Sequence, residues 1–571
     1  MSGTNSQVRD GVVSEQKPNV EMKPKPEARS PSSSLSCGVD ADSVLRQLGQ
    51  AGRFHLRVYV LVALAAVQVG LLHTTYIFLA ADVPYRCQIP ECELLNSTEY
   101  SPEWLALPNK AREQRCSRRM LLPEQGSCVK EAFGDELQPC EHWLYASRDT
   151  IVAEFNLACQ DWKRTLVGTI HNIGMLISLP IFGYISDRWG RKKALILSCT
   201  LVGAIGSLKA FSISYEMYVI VEFLETVAGA SAFPAAYILT IELLGQDKRV
   251  LTTAFLGIML VLGGLSFALL AKTFTYWRTF ILVVYPPSLL FLLYIYLLPE
   301  SIRWLLSKGR KEEAVEIIMK AAKTNNVTLS DETMKQLTEE KTKPIEVKPG
   351  DKEPQGLWMQ VLRSPIIMTR LAICSWWWIT CTFVFYGLAI NSVSLAGDKY
   401  TNYMLVVSVE VIAVVTNALV LDRIGRKRTL LIAYIVCGLS CVAIAFVPKT
   451  LAWLATLLYL IGKIAITQAF SGIYMYTSEL FPTHARHSLL GFCSMVGRVG
   501  SIVAPQMPLL AIYVEWLPSV LFGATALIAG GLMLTTPETL NTRLPDTIQE
   551  AERLAQKAPP ANEDIQMNSR S

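Results

Sequence analysis

Charge is what this chain has little of. Of its 571 residues only 18% are Asp, Glu, Lys or Arg, 51% are hydrophobic, and the mean hydropathy is +0.32. A water-soluble domain carries nearer about 25% charge, so a soluble globular class is excluded. Residues 1–50 lack an apolar run that would serve as a cleavable signal, being polar and rich in Pro, Ser, Lys and Glu. The apolar stretches hold no nucleophile–base set, no phosphate loop and no cluster with metal-ligand spacing. The chain therefore reads as a non-enzyme with no cofactor and no metal. The net charge of +5 is spread over loops and requires no nucleic-acid partner.

What is present is apolar sequence in blocks of about 20 residues, the length that crosses a hydrocarbon core. Twelve such spans are predicted, at 57–81, 166–186, 193–212, 215–243, 251–271, 277–298, 368–393, 401–421, 429–448, 451–477, 488–512 and 516–536. The short basic loops "DRWGRKK", "GQDKR", "DRIGRKR" and "HARH" all fall on one side, which the positive-inside rule makes cytoplasmic. Both termini follow: 1–50 as a disordered cytosolic tail, 299–367 as an intracellular helical linker between halves at 57–298 and 368–536, and 537–571 as a second tail. Residues 82–164 become an external loop.

That loop contains Cys87, Cys92, Cys116, Cys128, Cys140 and Cys159. Six cysteines in an external segment imply three disulfides, with fifteen possible pairings. The remaining cysteines read as small buried hydrophobes or free thiols. Asn96-Ser97-Thr98 is a glycosylation sequon on the outer side, whereas Asn326-Val327-Thr328 falls on the cytosolic side and is expected to be inert.

The chain repeats itself. "GYISDRWGRKK" after the second span matches "LVLDRIGRKR" after the eighth, "IELLGQDKR" matches "SELFPTHAR", and "PESIRW" matches "PETLNT". Asp187 to Glu242 is 55 residues and Asp422 to Glu479 is 57; Glu242 to Glu300 is 58 and Glu479 to Glu538 is 59. Two six-helix halves with the same markers on the same side form a parallel repeat, the pattern of transporters whose halves rock about a midplane site. Asp187, Arg188, Arg191, Glu242, Arg249 and Glu300, with Asp422, Arg423, Arg426, Glu479, Arg486 and Glu538, are the expected gate. The clusters would join the halves in one state and part in the other.

These motifs, with "LRQLGQAGRFHLRVYVL", "CEHWLYASRDTIVAEFNLAC", "PESIRWLLSKGRKEEA" and "YMYTSELFPTHAR", resemble the organic cation, anion and zwitterion transporter family of the major facilitator superfamily. The resemblance runs from about residue 43 to 540. It implies an all-α membrane protein with twelve helices in two halves, placed in the plasma membrane. That family carries an arginine near the start of span four. Here the chain reads "VIVEFLETVAG", which leaves Glu222 either at the outer interface or inside the bundle.

An ionisable residue at mid-membrane is a candidate site. Leu489 to Val514 holds no Asp, Glu or Lys, and Arg498 is its one cation, about 15 Å into the span. Ser494 and Ser501 share its helix face. Lys463, Thr467, Phe470, Tyr474 and Thr477 fall on one face of span ten, and Trp378, Thr382 and Tyr386 on one face of span seven. Glu410 in span eight and His73 in span one complete the set. Cation-selective members of the family carry an aspartate where Arg498 stands, while anion and carnitine-type members carry arginine. The resemblance thus implies a carboxylate-bearing solute. A zwitterion such as β-alanine or a carnitine-like betaine fits best, its carboxylate on Arg498 and its cationic end on aromatic faces. An organic anion exchanger, an organic cation carrier with an atypical site, and a non-transporting receptor are the alternatives. The expected partners are the solute, the bilayer and a coupling sodium ion or proton, for which Glu222, Glu225, Glu410 and His73 are the candidate ligands.

Overall fold

The computed structural model describes residues 41–49, 52–93, 100–102, 115–121, 128–129, 133–243, 249–330, 333, 357–483, 485–540, 542, 545 and 547–554. Among the described residues eleven helices are long and apolar enough to cross a membrane. Spans one to six are Arg53–Leu79, Asp161–Trp189, Arg191–Phe211, Tyr215–Leu243, Thr252–Thr273 and Trp277–Leu297. Spans seven to eleven are Pro365–Ser394, Lys399–Ile424, Arg426–Ile444, Lys449–Leu480 and Ser488–Tyr513. The expected twelfth is the apolar helix Leu517–Met533, whose 17 residues extend about 26 Å. Pro518 sits in its first turn, where a missing N–H costs no hydrogen bond.

Among the described residues four spans are interrupted, span four by a turn at Ala230 and Ser231 between the helices Tyr215–Gly229 and Ala232–Leu243. Span six changes to a 3₁₀-helix over Pro286–Leu293 and span eleven over Ala504–Gln506, each at a proline that cannot donate to the ladder. Span one breaks without a proline. Its helix Arg53–Leu72 ends, His73 to Thr75 form a turn, and Tyr76–Leu79 resumes. The three turn side chains bond outward instead, each to a different tyrosine. His73 Nε2 lies 3.1 Å from the Tyr386 hydroxyl, Thr74 Oγ1 2.6 Å from that of Tyr403, and Thr75 Oγ1 3.0 Å from that of Tyr285.

The loop after span one is a small domain built on two antiparallel pairs: β1 (Tyr85–Cys87) with β4 (Trp143–Tyr145), and β2 (Ser117–Leu121) with β3 (Phe133–Pro139). The disulfides join Cys87 to Cys140, Cys92 to Cys128 and Cys116 to Cys159. Asn96 lies outside the described residues. Six further cysteines, Cys199, Cys374, Cys381, Cys437, Cys441 and Cys493, are buried free thiols.

Two parts expected as disordered tails include ordered helix. Ala41–Gln47 and the turn after it bury Val44, Leu45 and Leu48 in the N-terminal half, and Gln47 bonds to Thr333. At the other end Ile548–Arg553 buries Ala551 and is held by Arg370 through the carbonyls of Ala551 and Glu552. Short apolar residues inside polar sequence were enough to dock both. Between the halves, Ile302–Ser307 and Lys311–Asn325 form helices, and Asn325 caps the start of span one through the Phe54 N–H at 2.9 Å.

The repeated markers build the same latch twice. Arg191 pairs with Asp187 and with Glu242 at 3.3 Å; Arg426 pairs with Asp422 at 3.0 Å and Glu479 at 3.4 Å. Ser301 donates to Glu242 and Thr539 to Glu479, both at 2.5 Å. Glu300 accepts the Lys192 N–H and Glu538 the Arg426 N–H, both at 2.9 Å. Burial raises the Glu300 carboxyl above its usual range despite those donors. Gly190 and Gly425 turn the chain at φ +112° and +110°, and a Cβ there would stand 2.2 Å from Glu300 and 2.6 Å from Glu538. Arg188 stacks on Tyr184, and Arg423 is exposed. Arg486 donates to the carbonyls of Ser478 and Phe481. The Arg249 side chain lies outside the described residues.

Both latches close within their own half. Bonds between the halves gather instead at the disulfide-domain end: Lys272 to Asp398 at 3.1 Å, Thr165 and Thr169 to Gln506, and Phe78 stacked on Tyr400. The faces of spans two and eleven that meet there separate toward the latch end. Tyr184 is 62% and Met495 47% exposed, and a Cβ on Gly183 or Gly491 would meet nothing within 4 Å.

Gly190→Ala and Gly425→Ala should each lower stability by about 1–3 kcal/mol, since both add strain at positive φ and a clash. Thermal melting of the purified chain in detergent checks this; unchanged melting would refute the latch geometry. Peptide mapping without reduction should recover the three disulfide pairings given above and no others.

Candidate functional site

Arg498 lies ten residues into span eleven, about 15 Å from its start and so near mid-membrane. The glycines beside it have a steric reason. A Cβ at Gly497 would meet Trp378 at 3.0 Å, and one at Gly500 the Ile379 carbonyl at 2.2 Å. "GRVG" therefore lets span eleven press on span seven and fixes the arginine between them. The Nη1 of Arg498 is buried with no hydrogen-bond partner among the described residues. A buried guanidinium nitrogen left unpaired is costly, about 1–3 kcal/mol or more, and marks a place where an acceptor belongs.

The predicted aromatic residues converge on this arginine. Tyr474 lies near enough to Arg498 to interact with it electrostatically. It packs edge-on to Trp378 at 4.4 Å and near Phe470 at 5.9 Å. Tyr474 is nevertheless 44% exposed, so it faces open space while its neighbours are covered. Phe385 extends the wall between Phe470 at 5.3 Å and Tyr386 at 5.4 Å, and Tyr386 reaches His73. Through Tyr386 the broken turn of span one, in the other half, is joined to this wall.

Other predicted members are placed differently. Thr382 is buried and bonds to the Gly497 carbonyl, and Ser501, also buried, donates to the Arg498 carbonyl at 2.9 Å. Both hydroxyls tie backbone rather than line the cavity. Trp378 is 1% exposed, its indole N–H donating to Thr477 at 3.2 Å. Lys463 does not snorkel and is not a second free cation. Fully buried, it pairs with Glu410 at 2.9 Å, donates to the Phe385 carbonyl at 3.3 Å, and stands 3.4 Å over the Phe385 ring. In low dielectric a close carboxylate and ammonium stay paired, so the two cancel behind the aromatic wall.

The N-terminal half holds a second charged cluster that the sequence reading only half saw. Glu222 is fully buried, not at the outer interface. Lys209, from the end of span three, donates to Glu222 at 2.9 Å, to Glu225 at 3.2 Å and to the Tyr285 hydroxyl at 2.6 Å. His171 of span two, which sequence reasoning missed, sets its Nδ1 2.7 Å from Glu222. Two carboxylates three residues apart on one buried helix face demand a cation nearby. That demand was the available signal for Lys209.

A charge-lined site between two repeated six-helix halves fits a membrane transporter of the rocking type. The Major Facilitator Superfamily model matches residues 152–505. Relatives include the Organic cation transporter protein of Drosophila melanogaster, 33% identical over 533 residues covering 91% of this chain and 96% of that one. Solute carrier family 22 member 3 of Rattus norvegicus is 31% identical, covering 90% and 96%. The Organic cation/carnitine transporter 2 of Homo sapiens is 30% identical, covering 90% and 94%. The xylose transporter XylE from E. coli in a partially occluded inward-open conformation shares the fold, with TM-score 0.56 at 15% identity over 86% of this chain and 99% of that one. The chain belongs to solute carrier family 22 of the major facilitator superfamily and is a multi-pass membrane transporter, not an enzyme.

Glu410→Gln should strand the Lys463 ammonium and cost about 3–5 kcal/mol of stability, while Glu410→Gln with Lys463→Met recovers most of it. Melting of the three proteins decides; equal loss in the single and double variants would refute the pair.

Proposed function

We propose that this transporter moves small carboxylate-bearing zwitterions, β-alanine or carnitine-like betaines, across the plasma membrane by alternating access. The observation that carries the reading is the unpartnered Arg498 Nη1 at mid-membrane beside an open aromatic face. Glu410 and Lys463 neutralise each other, so Arg498 is the positive charge that the C-terminal half presents to a solute. A guanidinium takes a carboxylate with two parallel hydrogen bonds and repels the like charge of a bare ammonium. The cationic end of the solute then lies on Tyr474 and Tyr386, where ring faces attract a quaternary ammonium by about 1–2 kcal/mol. The carnitine transporter among the relatives supports a solute with both charges.

The basic loops support placing the latch end and both termini in the cytoplasm. In that orientation the disulfide domain is external. The latches then brace each half, and exposed Arg188, Asp187, Arg423 and Asp422 come together across the halves when the cytoplasmic end closes.

Uptake of labelled β-alanine and carnitine into cells expressing the chain tests the reading. Arg498→Ala should weaken apparent affinity by about 2–3 kcal/mol, roughly 30- to 150-fold, with surface expression intact. Arg498→Lys should recover only part. Undiminished uptake by Arg498→Ala would end this assignment. Competition by larger aromatic carboxylates but not by β-alanine would transfer it to an organic anion exchanger, and transport of tetraethylammonium alone to a cation carrier.

A further inference from the structure

A small cavity lies on the seam between the halves, at the disulfide-domain end. Thr150, just before the short helix Ile151–Glu154, and Trp277, at the start of span six, line it from the N-terminal half. Lys399 and Tyr400, at the start of span eight, line it from the other half. Its volume is about 20 Å³, room for one particle the size of a water molecule. The Trp277 N–H donates to the Asp149 carbonyl at 2.9 Å, which pins span six to the end of the disulfide domain. The Phe78 ring, stacked on Tyr400, brings span eight against span one.

Donors are in excess around this space. Thr150 precedes its helix, yet its hydroxyl makes no cap bond and is buried with no hydrogen-bond partner among the described residues. The indole Nε1 of Trp277, a group that can only donate, is likewise buried without a partner on a residue 1% exposed. The Lys399 ammonium stands 5.1 Å over the Tyr400 ring, and no hydrogen bond or ion pair holds it among the described residues. A water oxygen has two lone pairs and would leave one of these three donors unmet; a monatomic anion accepts from all of them. Two carboxylates act on Lys399 electrostatically. Asp398 is spent on Lys272 at 3.1 Å, and Asp149, which also lines the cavity, forms no ion pair with Lys399 among the described residues.

We propose that this cavity is a halide site, filled by chloride, which accepts from the Thr150 hydroxyl, the Trp277 indole and the Lys399 ammonium at once. The ion joins residues of both halves, so it binds best where they meet and opposes their parting by that difference in affinity. The Asp149 carboxylate repels the ion and keeps binding weak. A carboxylate-bearing solute is too large for a space of one water, which separates this site from the one at Arg498.

Melting of the full chain in detergent tests this, with gluconate replaced stepwise by chloride or bromide at constant ionic strength. Gluconate is too large to enter. Both halides should raise the melting midpoint along a saturating curve. Lys399→Gln and Thr150→Val should each weaken the apparent halide affinity about tenfold, the effect of one lost hydrogen bond to an ion. Asp149→Asn should tighten it, a change in the opposite direction that damage to the fold does not produce. Line broadening of the chloride NMR signal reads binding by the same four proteins without heating. A native chain that melts identically in gluconate and in halide, and leaves the chloride signal sharp, overturns the proposal in favour of water alone. A halide effect of undiminished size in both Lys399→Gln and Thr150→Val overturns it too, since the ion is then bound elsewhere. No transported solute enters either measurement, so failure of the carboxylate assignment leaves this site standing.

Discussion

A charge surrounded by hydrocarbon must find its opposite, and this bundle is arranged around that constraint. Lys209 is held by two glutamates and a tyrosine, and Lys463 by Glu410 and a carbonyl. Each tie joins different spans, so the pairs also set how the helices stand in each half. Arg498 departs from the pattern. It is held rigidly by close-packed glycines, yet one of its nitrogens is left without an acceptor. Rigid and unsatisfied together describe a binding group better than a structural tie.

Much of the architecture was legible from sequence because its signals are periodic. Apolar blocks of fixed length, and acidic and basic markers recurring at nearly equal intervals, led to the twelve spans and the doubled latch. The disulfide pairing was not legible, because fifteen connectivities satisfy the same six positions. Partners across spans were not legible either. Glu410 and Lys463 stand 53 residues apart, and a lysine in a span reads equally well as snorkelling. Lys209 sits at the end of an apolar run, and only the folded bundle turns it back onto Glu222.

Within the site, helical spacing grouped Tyr474, Phe470, Trp378 and Tyr386, and ring contacts link Trp378, Phe470 and Tyr474. It could not say which hydroxyls remain available. Thr382 and Ser501 share those faces but spend their bonds on backbone carbonyls, a choice made by the close approach of two helices rather than by either helix alone. The break in span one was invisible for a related reason. His73, Thr74 and Thr75 leave the helix only because three tyrosines from spans six, seven and eight receive them.

The self-contained latches have a kinetic meaning. Since the strongest ion pairs lie inside each half, they survive when the halves move, and none has to be broken for the molecule to reverse its opening. What must be broken at the disulfide-domain end is mostly hydroxyl, amide and ring contact, with one exposed pair, Lys272 and Asp398. Such contacts are individually worth about 1 kcal/mol. A seam of that kind can open on the microsecond-to-millisecond scale of domain motion. Turnover would then be limited by the few bonds along one rim, and salt or substitution there would tune speed without touching selectivity.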